Sequence, residues 1–473
     1  MKILVVLGEN LLHYQRQILK ELSYFNVVEI YALATNYKSK VPKDSKLLRM
    51  INRKFPVFKT DPYSFEKTDR FMESSIEIKA YREDLFYEYV LNFCEATVIE
   101  NFKIKCAQVL KIAIDIKKWY AQSINKSPYT TIHLLSSADN KVFIPLKSLS
   151  FSTEIGMYNN RDKALYYYSY LIKSVFNEQN YEVQESNQNG YHFVKSWNYH
   201  LKLLKIIVQR KFSKVQLNWN LAILENNKPT IITEETGAFW ADPFIINDSR
   251  NNWIFFEELD QKTRLGKISV INLQDGKPLK KEVVLEKPYH LSFPNVFKFE
   301  KDYYMMPEES ASNEQNIYKA TRFPFQWEKY KTIFKNIKMV DPVFIFHDGR
   351  YWLFFNKIED FEYENNERVY VYSSTDLFSD DWESHPQNPV VIDKTRARNA
   401  GKIRKEEGHF IRVSQNCKDT YGANISKNRI THLTEKIYSE EKMNFDMHFE
   451  PFYGCHTFNT DGGISIIDLL VKE

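Results

Sequence analysis

A short pattern recurs along the second half of the chain and constrains its fold more than any other feature. Each copy begins with a turn, continues as an apolar strand, and is followed by an aromatic strand that ends in an acid or amide. The copies begin at Asp242, Asn295, Asp341, Ala400 and His456, in steps of 53, 46, 59 and 56 residues. A period of roughly 50 residues built from short strands is typical of propeller blades. Five copies predict an all-β five-bladed propeller over residues 215–473.

The first 190 residues have the pattern of an α/β domain. Residues 3–7 are an apolar run that ends in Gly8, residues 11–25 are spaced as an amphipathic helix, and residues 27–34 predict a second strand. This start resembles a Rossmann-like or formyltransferase-like domain. Only Gly8 stands where a dinucleotide fingerprint needs three glycines, which argues against a nucleotide site.

Further elements of this domain follow from periodicity. Residues 86–120 have roughly helical spacing, residues 132–135 predict a strand, and residues 164–172 predict a helix. The Asn-His-Asp constellation of formyltransferases is not recognisable around His133, so we interpret His133 as structural and the domain as degenerate. A connecting helix is predicted over residues 191–214.

Charge and composition narrow the classes of partner. A net charge of +4 over 473 residues gives no argument for nucleic acid. The four cysteines show no CxxC spacing, so neither a disulfide scaffold nor a zinc site is expected, and a reducing compartment is the simplest inference. The apolar start is too short for a signal peptide, and no run approaches the roughly 18 apolar residues that span a bilayer. We therefore expect a cytoplasmic protein without a transmembrane segment. Its oligomeric state is left open.

The propeller repeat concentrates acids. In a propeller the innermost strand of each blade faces the central axis, so equivalent positions converge from distant parts of the sequence. The turn at residues 399–401 and four copy starts should meet there: Asp242, Asn295, Asp341 and His456. Six acids and amides follow the second strands, and some should reach the same rim: Glu257, Glu258, Glu308, Glu309, Asn356 and Gln415. Carboxyl groups that share a pocket raise one another's pKa values, as acid/base chemistry requires.

The repeated Asp-Pro at blade starts resembles the five-bladed propeller glycosidases of the invertase, levansucrase and arabinanase group. The resemblance implies that Asp242 acts as nucleophile or base, and that Asp341 orients sugar hydroxyls or tunes a pKa. Those enzymes carry their acid at the fourth blade, where residues 395–401 contain no carboxylate. Glu308 or Glu309 would then be the acid, or hydrolysis is not the reaction. Each Asp-Pro is also compatible with a turn whose carboxylate caps backbone N–H groups.

A longer set of motifs resembles the propeller domain of plant glucosamine inositolphosphorylceramide transferases. The motifs are WADPF at 240–244, MPEES at 306–310, YKATRFPFQW at 318–327 and VDP at 340–342. This resemblance covers residues 215–470 and implies a role in building a surface glycan or glycolipid. The chain has no clear Asp-x-Asp motif of the nucleotide-sugar type, so no metal and no cofactor are predicted.

The predicted catalytic residues are Asp242, Asp341 and Glu308, and the predicted substrate-binding residues are Trp240, Asn295, Glu309, Arg398, Gln415 and His456. The expected partner is a glycan or an activated sugar. Glycosyl transfer, glycoside hydrolysis, glycan binding without turnover and a formyltransferase-related activity all remain open.

Overall fold

The computed structural model describes most of the chain. The described residues are 1–23, 29–35, 37–38, 62–68, 78–94, 102–124, 127–154, 156–177, 179–181, 183, 205, 217–226, 228–233, 239–248, 250–274, 276–359, 362, 366–418, 420–447 and 449–472. They divide into two compact units, residues 1–213 with 360–363 and residues 214–359 with 364–473. Apart from Lys205, the predicted connecting helix at 191–214 lies outside the described residues.

In its described residues, the first unit is a mixed sheet with three helices. Its strands are β1 (Lys2–Leu7), β2 (Asn10–Leu12), β3 (Glu29–Ala34), β4 (Phe65–Lys67), β5 (Ile78–Ala80), β6 (Phe86–Asn92), β7 (Lys105–Ile112), β8 (Tyr129–Ser137) and β9 (Ile144–Ser152). Its helices are α1 (His13–Ser23), α2 (Ile116–Ile124) and α3 (Met157–Phe176). Seven strands pair in the order β5-β3-β1-β6-β7-β8-β9, parallel as far as β7 and antiparallel beyond it. Strands β2 and β4 pair separately. The predicted α/β class is confirmed.

Most of the predicted elements of this unit are present, with one error. The helix predicted at 11–25 is α1, and the strand predicted at 27–34 is β3. Residues 86–120 are not one helix, because β6, β7 and the start of α2 lie there. Val90 and Val109 are buried in neighbouring parallel strands. Strands buried on both faces carry near-continuous apolar runs, and such runs can match helical spacing by chance. In the part of the chain that the structure describes, no helix is both long and apolar enough to cross a bilayer.

The second unit is a five-bladed propeller, as predicted. It opens with β10 (Leu217–Glu225) and β11 (Lys228–Ile231). Blade one has β12 (Trp240–Asn247), β13 (Asn252–Leu259), β14 (Gly266–Gln274), β15 (Lys277–Pro278) and β16 (Glu282–Leu285); blade two has β17 (Ser292–Phe299), β18 (Asp302–Glu308), β19 (Glu314–Arg322) and β20 (Gln326–Lys335). Blade three has β21 (Met339–His347), β22 (Arg350–Lys357), β23 (Arg368–Ser374), β24 (Glu383–Ser384) and β25 (Val391–Ile392). Blade four has β26 (Arg398–Asn399), β27 (Arg404–Glu406), β28 (His409–Asn416), β29 (Asn424–Leu433) and β30 (Tyr438–Met447). The chain ends with β31 (Phe458–Asp461) and β32 (Ile464–Lys472).

Blade five joins the two ends of the propeller. Its strands run in the order β11-β10-β32-β31, so β10 pairs antiparallel with β32 along its length, from Leu217 opposite Lys472 to Leu224 opposite Ser465. Strand β10 is therefore the third strand of the last blade, and it closes the ring.

The innermost strands of blades one to three share a bulge. Register shifts fall between Ala241 and Phe244, between Ser292 and Asn295, and between Val340 and Val343. The residue before each proline has a left-handed backbone, with φ of 51° at Asp242, 46° at Phe293 and 47° at Asp341. Aspartate tolerates this region better than most residues, whereas a bulky side chain such as Phe293 is uncommon there. Phe293, and not Asn295, therefore occupies the position of Asp242 and Asp341 in blade two.

A second repeated position lies on the second strand of each blade. Glu257, Glu308, Asn356 and Gln415 pair with the residues Ala241, Ser292, Val340 and Arg398 of the innermost strands. In blade five the position belongs to Asp468, whose N–H donates to Thr457 O at 3.4 Å. Asp468 was not among the residues predicted from the sequence.

Three residues at this second-strand position bind the next blade, and we call them the inter-blade acceptors. Glu308 Oε2 accepts the N–H of Asp341 at 3.2 Å, and Asn356 Oδ1 accepts the N–H of Asn399 at 3.2 Å. Asp468 Oδ2 accepts the N–H of Asp242 at 3.0 Å, which ties blade five to blade one. A buried backbone N–H without a partner is costly, so these contacts help to fix the ring.

Replacing Asn356 with alanine tests the contribution of an inter-blade acceptor. The Asn356 amide also donates to Arg368 O at 2.7 Å and Ala397 O at 3.2 Å, so Asn356→Ala leaves several buried groups unpaired. We expect a loss of about 2–3 kcal/mol in the free energy of unfolding, measured by urea denaturation of the full chain. The exposed amide variant Gln274→Ala should change stability by less than about 0.5 kcal/mol. Equal effects of the two substitutions would contradict the role.

Candidate functional site

Asp242 is buried, and in the described part of the chain other side chains donate a hydrogen bond to only one of its two carboxylate oxygens. Thr457 Oγ1 donates to Asp242 Oδ1 at 2.7 Å, and His456 Nε2 lies 3.3 Å from the same oxygen. Among the residues that the structure describes, Asp242 Oδ2 has no hydrogen-bond partner. Burial, together with the charges of Asp341 and Asp468, raises the pKa of Asp242 to about 6, and the charge of His456 opposes this rise. The carboxylate is therefore mostly ionised at neutral pH, with Oδ2 able to accept a proton.

His456 stands between two carboxylates. Its Nδ1 lies 2.7 Å from Asp468 Oδ2, while its Nε2 faces Asp242. Burial lowers the pKa of His456, but the charges of Asp468 and Asp242 outweigh it, so the pKa is raised. The ring of Trp219 packs against the imidazole with centroids 4.0 Å apart. His456 is thus fixed as a bridge between blade five and Asp242.

A side chain of blade four forms an ion pair with the carboxylate of Asp341. Arg398 Nε contacts Asp341 Oδ2 at 2.5 Å, and Arg398 Nη1 donates to Asn366 Oδ1 at 2.8 Å. Arg398 Nη2 lies 3.8 Å from Glu308 Oε2. Arg398 was predicted to bind substrate, and here its charge is balanced by the buried carboxylate of Asp341. In the described part of the chain, Asp341 Oδ1 has no hydrogen-bond partner.

Glu308 lies beside Asp341 at the junction of blades two and three. Ser310 Oγ donates to its Oε1 at 3.3 Å, and its Oε2 is the inter-blade acceptor described above. Burial and the charge of Asp341 raise the pKa of Glu308 to about 8, and the charge of Arg398 opposes this rise. Glu308 is therefore mostly protonated at neutral pH, and its proton reduces the repulsion from Asp341.

Glu257 belongs to the same group of acids. Burial raises its pKa well above the usual range, and the charges of Asp242 and Glu308 raise it further. His290 Nε2 lies 3.3 Å from Glu257 Oε1, and the N–H of Gly266 donates to His290 Nδ1 at 2.9 Å. Burial lowers the pKa of His290, with a further lowering by Arg264, so the imidazole is neutral. We call Asp242, Glu257, Glu308, Asp341 and Asp468 the acidic cluster.

Tyr421 adds a partly exposed aromatic ring beside the cluster. Its ring lies 5.4 Å from the His456 ring, and the Arg398 guanidinium lies 5.3 Å from its centroid. Tyr421 is 40% exposed, unlike the acids. Gly422, with φ of 62°, follows it; a Cβ there would lie 2.8 Å from His456 Cβ, so glycine lets this loop approach. Tyrosine rings of this kind stack on sugars.

Two predicted substrate-binding residues lie away from the acidic cluster. Trp240 is buried, with its ring 4.7 Å from that of Phe256 and Lys281 Nζ 5.3 Å from its centroid, so both partners cover the indole. Glu309 is fully buried in blade two, where its carboxylate accepts from three groups: Tyr289 OH, Tyr318 OH and the N–H of Asn316. Burial raises the pKa of Glu309. Its oxygens are occupied by these internal contacts.

Asn295 and Gln415 also have internal partners. Asn295 Nδ2 donates to Pro342 O at 3.2 Å, across the junction between blades two and three. Gln415 Nε2 donates to Asn399 O at 3.2 Å within blade four, and Cys417 Sγ lies 3.6 Å from Gln415 Oε1. Both side chains support the innermost strands. The structure therefore brings together Asp242, Glu308, Asp341, Arg398 and His456 of the predicted site.

Some members of the site were missed by the prediction, and the signals differ. Glu257 was named as a possible rim residue, but it was not placed in the site. Asp468 is a single acid within the apolar strand β32, and a buried acid in such a strand needs a partner, which is a usable signal. His290 and Tyr421 lie in connections outside the repeat, so nothing in the spacing indicated them.

The acidic cluster also contains a possible set of metal ligands. Among the described residues, Asp242, His456 and Asp468 each offer a ligand atom, and these atoms lie within 4.8 Å of one another. In this arrangement the two imidazole nitrogens face different carboxylates. Both nitrogens lie at ion-pair distances, and His456 Nδ1 is a buried atom without a hydrogen-bond partner in the described part of the chain.

Comparison with known proteins identifies one matching family. The model of the family described as glucosamine inositolphosphorylceramide transferase 1, N-terminal, matches residues 222–461. Glucosamine inositolphosphorylceramide transferase 1 of Oryza sativa subsp. indica is 34% identical over 211 residues, and that of Arabidopsis thaliana is 33% identical over 216 residues. Each alignment covers 44% of this chain and 28% of the relative, so the match spans less than a third of those proteins.

Solved structures share only distant similarity. Zg3597, a family 117 glycoside hydrolase of Zobellia galactanivorans, has a TM-score of 0.38 and 11% identity, covering 54% of this chain and 90% of that one. The α-L-arabinofuranosidase PaAbf62A of Podospora anserina has a TM-score of 0.36 and 10% identity, covering 54% and 97%. Similarity at this level gives no information about substrate or mechanism.

The raised pKa of Glu308 predicts a pH-dependent stability. The folded protein binds this proton more tightly than the unfolded chain, whose ordinary value is 4.5. The stabilisation is full below that value and is lost as the pH rises to about 8, at no more than about 1.4 kcal/mol per pH unit. Glu308→Gln keeps the hydrogen-bond acceptor but cannot ionise. As the pH rises from 4.5 to about 8, the melting temperature of this variant should therefore increase relative to that of the wild type.

Melting curves at a series of pH values measure this difference. The exposed-site variant Glu328→Gln is the control, and its curve should run parallel to that of the wild type. Parallel curves for Glu308→Gln and the wild type would mean that Glu308 is not a buried, proton-holding group.

Proposed function

We propose that the propeller binds a glycosyl group at the acidic cluster and performs acid/base chemistry on it. The chain belongs to the glucosamine inositolphosphorylceramide transferase 1 N-terminal family. The family membership supports a carbohydrate ligand. The chemistry is argued from the acids themselves.

The main support for the proposal is that the acidic cluster contains both an ionised and a protonated carboxyl group at neutral pH. The pKa of Asp242 is about 6, so this carboxylate is mostly ionised at neutral pH. The pKa of Glu308 is about 8 and that of Glu257 is well above its usual range, so glutamic acid protons are held nearby. A base and an acid whose pKa values are pushed apart are what the transfer of a glycosyl group requires.

Each group then has a role. Asp242 Oδ2 takes a proton from the attacking hydroxyl or attacks the anomeric carbon, and a protonated glutamic acid gives a proton to the leaving oxygen. Asp341, fixed by Arg398, offers its second oxygen to sugar hydroxyls. Tyr421 gives the sugar ring an apolar surface to stack on.

The names of the relatives suggest the context. They are transferases named for glucosamine and inositolphosphorylceramide, and the chain matches only 28% of their length. We propose a role in glycolipid or surface-glycan metabolism, by transfer or by hydrolysis, inside the cytoplasm. A second candidate is glycan binding without turnover. The absence of a carboxylate from residues 395–401, at the start of blade four, favours it.

Two assays separate these candidates. Calorimetry with a panel of uridine diphosphate sugars, together with product analysis on a ceramide-linked acceptor, tests transfer. Release of sugar from a panel of aryl glycosides and oligosaccharides tests hydrolysis. Binding of glycans on an array without turnover in either assay supports the second candidate. No binding and no turnover would reject both.

Asp242→Asn tests the base. The amide keeps an acceptor for Thr457 but cannot take a proton, so kcat should fall by about 10²–10⁴-fold while the melting temperature is nearly unchanged. The matched variant Asp302→Asn removes a half-exposed carboxylate that pairs with Lys319 in blade two. Its kcat should equal that of the wild type. Full activity of Asp242→Asn would exclude the role.

The dependence of kcat/KM on pH provides an independent test. Activity should rise as Asp242 loses its proton near its pKa of about 6. It should fall on the alkaline side as a buried glutamic acid ionises, because the acid must be protonated to act. In Asp242→Asn the residual activity should lack the acidic limb. A wild-type profile that is flat across this range would contradict the assignment.

A further inference from the structure

We infer that Glu257, and not Glu308, is the proton donor of this site, and that His290 determines which oxygen of Glu257 carries the proton. This inference rests on the proposed function and assigns its acid. Three observations support it: the repeated position that Glu257 occupies, the tautomer of His290, and the close packing at Gly266.

The repeat shows that Glu308 has another task. Glu308, Asn356 and Asp468 occupy one position in three blades, and each accepts the N–H of the next blade's innermost strand. An amide performs the same task at Asn356, so acidity is not needed for it. Among the described residues, Glu257 occupies this position without accepting such an N–H. Its carboxyl group is therefore available for chemistry.

The contact with His290 places the proton of Glu257. The N–H of Gly266 donates to His290 Nδ1, so Nδ1 is an acceptor and the proton of the neutral ring is on Nε2. That N–H lies on Nε2, 3.3 Å from Glu257 Oε1. An N–H facing Oε1 favours placing the carboxylic proton on Oε2, which has no hydrogen-bond partner in the described part of the chain. His290 is thus a positioning residue.

Gly266 makes room for the pair. A Cβ at this position would lie 2.4 Å from Leu291 O, 2.8 Å from Glu257 Oε1 and 2.8 Å from His290 Cε1. Any larger residue must displace backbone or the two side chains. Gly266 therefore has two effects. Its N–H fixes the tautomer of His290, and its lack of a side chain leaves space for His290 beside Glu257.

The reaction balances with two groups of the cluster. Glu257 Oε2 gives its proton to the glycosidic oxygen while the bond from the anomeric carbon to that oxygen breaks, and the electron pair remains on the oxygen. The hydroxyl of water or of an acceptor alcohol forms the new bond to the anomeric carbon and gives its proton to Asp242. The total charge of the pair is unchanged. Asp242 then gives its proton to solvent and Glu257 takes one from solvent, which restores the starting state.

Leaving-group dependence tests the assignment. The probes are dinitrophenyl and phenyl glycosides of glucosamine, N-acetylglucosamine, glucose and galactose. A dinitrophenolate departs without a proton, whereas a phenolate needs one. Glu257→Gln should lower kcat/KM for the phenyl glycoside by about 10²–10⁴-fold and that for the dinitrophenyl glycoside by less than about tenfold. Glu308→Gln should affect both substrates equally.

The outcomes are distinct. If Glu308→Gln shows the leaving-group dependence and Glu257→Gln does not, Glu308 is the acid and the inference is wrong. If the wild-type chain turns over none of the glycosides, the proposed chemistry fails and the inference fails with it. The neighbouring variant Glu258→Gln removes a carboxylate that pairs with Lys281 at 2.8 Å outside the acidic cluster, and it should leave both rates unchanged.

His290 has its own test. An N–H donated to a carboxyl group favours the ionised form, so its loss raises the pKa of the acid. His290→Ala should therefore move the alkaline limb of kcat/KM to higher pH and lower kcat, with KM nearly unchanged. His290→Gln can both accept from Gly266 and donate to Glu257, and it should restore the wild-type limb. An alkaline limb that His290→Ala does not move would show that His290 has only a packing role.

Discussion

The propeller depends on a hydrogen bond that passes from one blade to the next. At Asp242 and Asp341 the backbone adopts a left-handed conformation, and the N–H donates to an acid of the preceding blade. Such a backbone is strained for a non-glycine residue, and it persists only where surrounding contacts fix it. Asp468 provides the contact for Asp242, and β10, paired with β32, closes the same blade. Ring closure and site geometry therefore share the same few atoms.

The same constraint explains why the acids gather. The bulge that directs the N–H of Asp242 to blade five leaves its carboxylate among His456, Thr457 and the other acids. The second-strand position then supplies glutamates from blades one and two. Because these groups are buried together, they cannot all be ionised, and their pKa values separate. The same repeated structural unit therefore supplies both an acid and a base. In some blades its second-strand residue binds the next blade, and in others that residue is available for chemistry.

The sequence predicted the blades and part of the site for a physical reason. Spacing and turn chemistry are local, so the five blades, Asp242, Asp341 and Glu308 could be read from the chain. The bulge was not visible in the spacing, and Asn295 was consequently aligned with Asp242 although Phe293 takes that place. Partners that join distant segments, such as Asp468 and His290, depend on packing. The burial of Trp240 depends on packing as well, and for the same reason it could not be foreseen.

A crystal structure of the full chain with a basic iminosugar would show where the acidic cluster holds a sugar. A protonated ring nitrogen takes the place of the positive charge that develops on a sugar during transfer. We expect this nitrogen to lie within hydrogen-bond distance of Asp242 Oδ2, with Glu257 Oε2 at the leaving-group side and Tyr421 against the ring. An iminosugar bound away from the acidic cluster, or one whose leaving-group side faces Glu308, would contradict this assignment.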